Sequence, residues 1–443
     1  MSGTKNTMIR ILKSILRIGA RMTIRTYRPE VVAITGSVGK TSTKDAIFAV
    51  LSKKGISGLS EKERWRVRRS KGNFNNEIGT PLNIIGEWSD ADMKLISLDT
   101  PAGTKRLQKV FFWVRVLLTM KVNIIIPGRK RYPQVLVLEY GADRPGDIKY
   151  LLSLARPKIG VVTAIGAVPS HMEQYPDVEA VAREKARLVE SLPAGGWAIL
   201  DHDDDVVLAM REKTRARVKT YGFDEAADVR ISNFENVSEA GRPEGIAFKI
   251  EHEGSFVPVT LKGVFGRAQA YSIAAAFAVG IAFGLNLVEI AELVERYYIP
   301  AKRRMNLVEG IKDSWIIDDS YNAAPLSVRE ALTTMNELAA TRRIAVLGDM
   351  LELGRLSVEA HESIGKMVVG VVDELFTVGP RGKFIAESAI KNGMAKTSVH
   401  AVDTVDEVLL QVQDTIQKGD LVLVKASRAM GLDQVVEEIR NMA

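Results

Sequence analysis

The spacing of apolar and polar positions along the chain predicts an α/β protein. Val31–Thr35 is a short apolar run typical of a buried strand, and a helix is predicted from about Thr41 to Lys53. Further buried strands, with helical stretches such as Asp177–Ser191 between them, are predicted at Val135–Tyr140, Ile159–Ile165 and Trp197–Asp201. Strands and helices in this order indicate a parallel sheet with helices on both faces.

Residues 228–262 follow a different pattern. Short alternating strands separated by glycine turns are predicted at Val229–Phe234, Gly245–Ile250 and Phe256–Leu261, and we interpret them as a small antiparallel appendage. A small-residue helix at Ala270–Phe283 follows.

The strand pattern restarts near residue 301, with strands predicted at Trp315–Asp319, Ile344–Gly348, Glu374–Gly379 and Leu421–Lys425. We therefore predict three parts: an N-terminal helix (1–30), a central domain (31–300) with an insertion at about 88–133, and a C-terminal Rossmann-like α/β domain (301–443).

Two segments combine apolar and basic residues. Residues 8–24 place Met8, Ile11, Leu12, Ile15, Ile18 and Met22 near one helical face, which predicts either a helix packed on the body or an interfacial anchor for an anionic membrane. The stretch Val110–Ile126 is strongly apolar but contains Arg115 and Lys121. It could form a core helix, a surface-lying helix or part of a partner interface.

Charge and composition narrow the class of protein. Residues 1–28 hold seven basic residues and residues 102–132 hold eight, with no acid in either segment, so the rest of the +7 chain carries −8. This localised basicity argues against a nucleic-acid-binding body. The chain has no cysteine, which excludes disulfides, and no uncharged apolar run of about 18 residues, so we expect no spanning helix. We expect a cytoplasmic protein, either free or peripheral to the inner face of the membrane through residues 1–28.

A phosphate-binding loop follows the first strand. It consists of Gly36, Ser37, Val38, Gly39, Lys40, Thr41 and Ser42. Glycines let the backbone turn toward phosphate oxygens, the helix N-terminus favours anions, and Lys40 and the Thr41 hydroxyl suit phosphate and Mg2+. The central domain is thus predicted to be a P-loop ATPase domain, with a loop two residues shorter than the standard motif.

Three later segments, together with this loop, carry a family resemblance. Asn73–Leu82, Asp318–Pro325 and Val346–Gly354 resemble segments of the Mur ligase family, the amide-forming enzymes of peptidoglycan precursor synthesis, in its D-alanyl-D-alanine-adding branch. The resemblance covers about residues 31–440. By this resemblance, the N-terminal domain that usually holds the UDP-sugar end of the donor is expected to be missing.

The resemblance implies catalytic and metal-binding residues. Glu139 ends a buried strand, where a carboxylate faces the ligand crevice of an open α/β sheet, and it matches the metal-binding glutamate of the family. His171 matches a histidine that helps to hold a second ion, although four residues rather than two separate it from Gly166. Lys185 matches a lysine that becomes carbamylated. ATP, one or two Mg2+ ions (with Thr41 as a further ligand) and a carbamylated Lys185 are therefore expected.

Nucleotide and substrate contacts are implied in the same way. Arg304, or Arg303 beside it, matches a phosphate-contacting arginine. Asp319 matches the acid that binds the ribose hydroxyls, and Asn322 matches a residue near the nucleotide. Gln269 stands where the family has an adenine-contacting asparagine. Substrate contacts are assigned to Asn75, Asn76, Lys425, Ser427 and Arg428, the last three with a structural role as an equal alternative.

The resulting functional hypothesis is an ATP-dependent, ADP-forming ligase that adds D-alanyl-D-alanine to a UDP-muramyl tripeptide through an acyl phosphate. Two alternatives stay open: a related ligase for another substrate, of folylpolyglutamate or pseudomurein type, and an inactive nucleotide-binding partner subunit.

Overall fold

A computed structural model describes residues 2–52, 65–72, 74–96, 106–125, 132–169, 171–239 and 242–440. Asn73 of the first family-like segment, and parts of the predicted insertion at 88–133, lie outside these ranges. The described strands form two sheets of nine and six strands.

The nine-stranded sheet has the order β2-β3-β1-β4-β5-β6-β7-β8-β9. Its strands are β1 Glu30–Thr35, β2 Val67–Arg69, β3 Val135–Glu139, β4 Ile159–Val162, β5 Trp197–Asp201, β6 Arg217–Gly222, β7 Val229–Glu239, β8 Arg242–His252 and β9 Ser255–Lys262. All pairings from β2 to β7 are parallel, and β8 and β9 pair antiparallel.

This topology shows how the antiparallel strands predicted at 228–262 join the parallel sheet. β7 pairs in parallel with β6 through Tyr221–Val229 and Gly222–Arg230, so the antiparallel strands extend the main sheet. The short strand β2 was not predicted. Its three residues carry two arginines and lack the apolar alternation that marks a buried strand.

Helices cover both faces of this sheet. They are α1 Ser2–Tyr27, α2 Lys40–Ser52, α3 Gly79–Ile85, α4 Asp90–Ile96, α5 Arg106–Ile125, α6 Asp147–Leu154, α7 Val178–Glu190, α8 Asp205–Leu208, α9 Arg267–Ala282 and α10 Leu287–Tyr297. One core lies against α2, α9 and α10, and a second core on the other face packs against α1, α3, α5, α6 and α7. The predicted α/β class with helices on both faces is confirmed.

The six-stranded sheet has the order β10-β11-β15-β12-β13-β14, with only β10 antiparallel. Its elements are β10 Asn306–Glu309, β11 Trp315–Asp318, α11 Pro325–Glu337, β12 Arg342–Gly348, α12 Ser357–Met367, β13 Glu374–Val378, α13 Gly382–Lys391, β14 Val399–Val402, α14 Val405–Thr415, β15 Asp420–Lys425 and α15 Asp433–Ile439. The two sheets lie on either side of residue 301, while the predicted domain boundaries themselves stay predictions.

Carboxyl ends of parallel strands position the functional side chains. β1 leads into the glycine loop, β3 ends at Glu139, and β11 ends next to Asp319. Such ends are where open α/β sheets bind ligands. Within the described ranges, no helix is long and apolar enough to cross a membrane.

Candidate functional site

The glycine loop is built around two glycines with left-handed backbones. Gly36 has φ +145° and Gly39 has φ +86°. A Cβ atom on Gly36 would lie 1.9 Å from Oγ1 of Thr163, whose hydroxyl donates a 2.6 Å hydrogen bond to the Val38 carbonyl. The position therefore requires glycine both for its backbone angle and for its closeness to the loop after β4.

Backbone amides of the loop have two different uses. The Ser37 and Val38 N–H groups donate to the Ala164 carbonyl at 2.9 and 3.2 Å, which fixes the loop to the end of β4. The predicted role of loop amides in phosphate binding therefore falls on those at the start of α2. The Ser37 Oγ atom is buried without a hydrogen-bond partner among the described residues, so this hydroxyl is free to bind a ligand oxygen.

Lys40 folds back over the loop. Its Nζ donates to the Gly36 carbonyl at 2.9 Å and to the Ser37 carbonyl at 3.2 Å. Burial lowers the pKa of Lys40, while the Glu139 and Asp143 carboxylates act in the opposite direction. The ammonium group therefore lies where phosphate oxygens would replace the carbonyl contacts.

Glu139 is a buried carboxylate held by three neighbours. Its Oε1 accepts from Asn75 Nδ2 at 3.0 Å, its Oε2 accepts from Thr41 Oγ1 at 3.1 Å, and Lys44 Nζ lies 3.8 Å from Oε2. The Thr41 hydroxyl and this carboxylate place two hard oxygens side by side beside the phosphate loop. Such a pair fits the ligand preference of Mg2+.

Lys185 is buried in the same place although it comes from α7. Its Nζ donates to the Gly36 carbonyl at 2.8 Å. Burial, reinforced by the nearby positive charge of Lys40, lowers the pKa of Lys185 to about 7. A large part of the amine is therefore neutral near pH 7, as capture of CO2 requires.

His171 lies between two carboxylates that the sequence did not single out. Its Nε2 lies 3.3 Å from Asp143 and its Nδ1 lies 2.7 Å from Glu352, whose pKa the hydrogen bond from the ring lowers. Asp143 stands four residues after Glu139, and Glu352 lies within the family-like segment Val346–Gly354. These positions are the sequence features from which the two carboxylates could have been predicted. Among the described residues, no three His, Cys, Asp or Glu side chains are grouped closely enough to hold a metal ion.

Arg304 rather than Arg303 faces the loop. Arg304 Nη2 donates to Thr41 Oγ1 at 3.2 Å, and its guanidinium lies 4.4 Å from the Tyr321 ring centre. Arg303 instead forms a 2.7 Å ion pair with Asp433. The geometry thus favours Arg304 as the phosphate contact, and Tyr321, which was not predicted, supports it.

Asp319 forms a buried ion pair with Lys425. Lys425 also donates to the Asn322 carbonyl at 2.9 Å, and Asp319 accepts from the Met305 amide at 3.2 Å. Burial raises the pKa of Asp319, and the Lys425 ammonium opposes this shift. Lys425 thus holds Asp319 and the Asn322 backbone in place, which favours its structural alternative over a substrate contact.

Gln269 is occupied by protein groups. Its Nε2 donates to the Arg304 carbonyl at 3.2 Å, and its Oε1 accepts from the Tyr298 hydroxyl at 2.7 Å. The side chain connects α9 to the segment that carries Arg304. Its contact with adenine stays a prediction.

The remaining substrate candidates divide into two groups. Asn76 lines the cavity beside the loop, and its Oδ1 accepts from the Ile78 and Gly79 amides at 3.1 and 3.0 Å. The Ser427 hydroxyl accepts from the Leu351 amide at 2.8 Å, and Arg428 donates to the Tyr321 hydroxyl at 3.2 Å. Neither Ser427 nor Arg428 lines that cavity, so the contacts of both residues fit the structural alternative.

A single cavity collects most of the predicted residues. The predicted residues that line it are Ser37, Val38, Gly39, Lys40, Thr41, Ser42, Asn75, Asn76, Glu139, His171, Lys185, Gln269, Arg304, Asp319, Asn322 and Lys425. They come from both sides of residue 301, and the cavity therefore lies between the two sheets. A cation-rich pocket with a buried carboxylate is suited to a nucleoside triphosphate and its metal ion.

Comparison with known families gives two matches. Residues 124–280 match the Mur ligase middle domain, and residues 303–428 match the Mur ligase glutamate ligase domain. Among curated proteins, the UDP-N-acetylmuramoyl-tripeptide–D-alanyl-D-alanine ligase of Bacillus subtilis (strain 168) is 30% identical over 413 residues, which cover 92% of this chain and 75% of the relative.

Solved structures share the fold. MurF from Acinetobacter baumannii superposes with a TM-score of 0.74 at 23% identity, over 96% of this chain and 80% of that one. MurF ligase from Thermotoga maritima, solved in complex with ADP, gives a TM-score of 0.73 at 24% identity, over 96% and 83% of the two chains.

Proposed function

Since the chain belongs to the Mur ligase family, we infer that it is an ATP-dependent, ADP-forming ligase of peptidoglycan precursor synthesis. Its curated relatives are named as ligases that join D-alanyl-D-alanine to a UDP-N-acetylmuramoyl tripeptide, and the same substrates are assigned to this chain. The names of these relatives favour the first functional hypothesis over the folylpolyglutamate and pseudomurein alternatives.

One observation on the geometry of the site supports the proposed ligase activity most directly. Lys40, Glu139 and Lys185 come from three separate elements and meet at the glycine loop within one cavity, which Arg304 reaches from beyond residue 301. An inactive nucleotide-binding subunit would not need the buried carboxylate and the low-pKa lysine beside the phosphate loop.

The reaction follows from these groups. A donor carboxylate attacks the γ-phosphorus of ATP, the bond to the β-γ bridging oxygen breaks, and an acyl phosphate and ADP form. The amine of D-alanyl-D-alanine then attacks the acyl carbon, and phosphate leaves as the amide forms. Lys40 and Arg304 would stabilise the negative charge on the transferred phosphoryl group, since both cations lie at the loop.

Metal ions and the modified lysine belong to the proposal. Thr41 and Glu139 would hold Mg2+, which when bound neutralises phosphate charge. His171 and a carbamylated Lys185 are proposed for a second ion. The support is the paired oxygens of Thr41 and Glu139 and the lowered pKa of Lys185.

Phosphate release provides the decisive test. We expect release from ATP only when D-alanyl-D-alanine and a UDP-muramyl tripeptide are both present. Release with a different acid and amine pair would support a related ligase instead, and no release with any pair would support the inactive subunit.

A first variant tests the loop. We expect Lys40→Ala to lower kcat at least about 100-fold, because one preorganised cation at the transferring group is removed. The matched control is Lys366→Ala, an exposed lysine of α12, which should leave kcat unchanged. An unaltered kcat in Lys40→Ala would contradict the assigned role.

We further propose that residues 1–28 contact an anionic membrane surface. Arg10, Arg21 and Arg25 of α1 have no acidic partner among the described residues, and apolar side chains of the same helix are exposed. An amphipathic basic helix of this kind binds at membrane interfaces.

A further inference from the structure

Helices α1 and α5 leave a broad apolar area exposed. Of the nineteen large hydrophobic side chains that are exposed in the described part of the chain, twelve lie on these two helices. We call this set the α1–α5 surface: Ile11, Ile15, Ile18, Met22, Leu107, Val110, Phe111, Val114, Leu117, Leu118, Val122 and Ile125. Such a concentration marks an interaction site, since scattered single exposed residues are the norm.

The two helices form one outer layer. Leu16 and Ala20 of α1, and Phe112 and Val116 of α5, are buried in the same core. Gly19 packs so closely on Met120 that a Cβ atom there would lie 2.1 Å from the Met120 Cε atom. The exposed side chains therefore stand on the opposite faces of both helices and point away from the body.

Helix α5 is apolar on both faces. A helix that is hydrophobic all round is normally covered on both faces, but in this chain the outer face of α5 is open: Leu107 is 86% exposed and Phe111 is 64% exposed. Residues 110–125 therefore lie on the surface with one side in the core, which excludes a fully buried core helix, while a surface-lying helix and a partner interface both stay open.

Positive charge without acidic partners lies on the same two helices. Arg10, Arg21 and Arg25 on α1 and Lys121 on α5 have no acidic partner among the described residues. Neither residues 1–28 nor residues 102–132 contain an acid. An exposed apolar face on basic helices complements the acyl chains and the headgroups of an anionic bilayer.

We propose that the α1–α5 surface docks on an anionic lipid bilayer, with both helices parallel to the membrane plane. A second copy of the chain would bring two faces of the same positive sign together, which disfavours self-association. Lys121 in the exposed part of α5 and the pairing of Arg115 with Asp92 disfavour insertion across the bilayer. The proposal extends the membrane contact of residues 1–28 to α5 and is independent of the ligase chemistry.

Helix α1 also contacts a segment beside the cavity. Lys13 of α1 forms an ion pair with Glu77, which follows Asn76 at the cavity beside the loop. The ion pair therefore links α1 to the segment that carries Asn76.

Vesicle flotation tests the proposal with the full chain. We expect binding to phosphatidylglycerol-containing vesicles, weaker binding to pure phosphatidylcholine vesicles, and loss of the difference near about 1 M salt. The double variant Phe111→Asp/Leu118→Asp should lower binding to anionic vesicles at least about tenfold, because charges would enter the apolar layer.

A matched control separates this effect from general surface change. Phe256 and Leu410 are 63% and 68% exposed and lie outside α1 and α5, so Phe256→Asp/Leu410→Asp should bind vesicles like the parent. Phosphate release with dissolved substrates should be unchanged in both double variants, which keeps the outcome separate from the ligase proposal. Absence of vesicle binding, equal binding by the Phe111→Asp/Leu118→Asp variant, or a dimer in light scattering that this variant dissociates would overturn the proposal.

Discussion

At the scale of the residue, the buried position of Lys185 changes the protonation of its amine. A lysine on a helix of mixed composition is normally solvent-facing and charged, but Lys185 is 2% exposed and bonded to the Gly36 carbonyl. The loss of water makes its neutral amine available near neutral pH.

The pH dependence of carbamylation follows from this. With a pKa of about 7, Lys185 is mainly neutral at pH 8 and mainly protonated at pH 6, and only the neutral amine captures CO2. We expect a carbamate signal in carbon-13 NMR with labelled bicarbonate at pH 8, strongly reduced at pH 6. The signal should be absent in Lys185→Arg and present in the control Lys366→Arg; persistence in Lys185→Arg would refute the assignment.

Two glycines of the loop differ in what they tolerate. Gly36→Ala would bring a Cβ atom within 1.9 Å of Thr163 Oγ1, whereas the nearest atom to a Cβ on Gly39 is 3.8 Å away. Both positions carry positive φ and cost about 1–3 kcal/mol of strain, but only Gly36→Ala adds a clash. We expect a larger loss of ADP affinity, measured by calorimetry, for Gly36→Ala than for Gly39→Ala, and the reverse order would contradict the geometry.

At the scale of the element, α7 presents Lys185 and depends on its cap. Asp177 accepts a 2.6 Å hydrogen bond from the Ala180 amide. We expect Asp177→Ala to destabilise the protein by about 1 kcal/mol, because an unpaired helix-end donor is left. Thermal unfolding would measure the change. Glu190→Ala at the other end of α7 is the matched control and should cause no loss, since an acid near a helix C-terminus is unfavourable.

Prediction of elements from the sequence succeeded where periodicity was strong. β1, β5 and α2 lie within one residue of their predicted bounds. β2 was missed because its two arginines interrupt the apolar alternation of a buried strand. The antiparallel strands at 228–262 were predicted, but the pairing of β7 with β6 depends on a contact across the sheet that alternation along one strand does not encode.

At the scale of the whole molecule, the cavity depends on contact between two halves of the chain. Glu352, from beyond residue 301, bonds His171 at 2.7 Å, and Arg304 reaches Thr41 at 3.2 Å. Interfaces between the domains of one chain commonly allow relative motion, so the site is complete only while the halves are together.

Removal of the His171 contact should loosen this arrangement. We expect Glu352→Gln to increase the radius of gyration in small-angle X-ray scattering without nucleotide, because the hydrogen bond between His171 and the Glu352 carboxylate, which joins the halves, is weakened. ADP should reverse the increase. Lys418→Gln breaks an exposed ion pair with Asp313 away from the interface and should leave the radius unchanged; an equal effect of both variants would count against this role of Glu352.

The sequence by itself determined the local features of this protein: the glycine loop after β1, the α/β order, the family-like segments and the two basic apolar stretches. These depend on neighbours in the chain, and periodicity and turn chemistry report them. Only the tertiary structure decided that Lys185 reaches a carbonyl 149 residues away, that Arg304 rather than Arg303 faces the loop, and that the outer face of α5 is uncovered. An apolar pattern indicates which face avoids water, but only packing determines whether another part of the chain covers it.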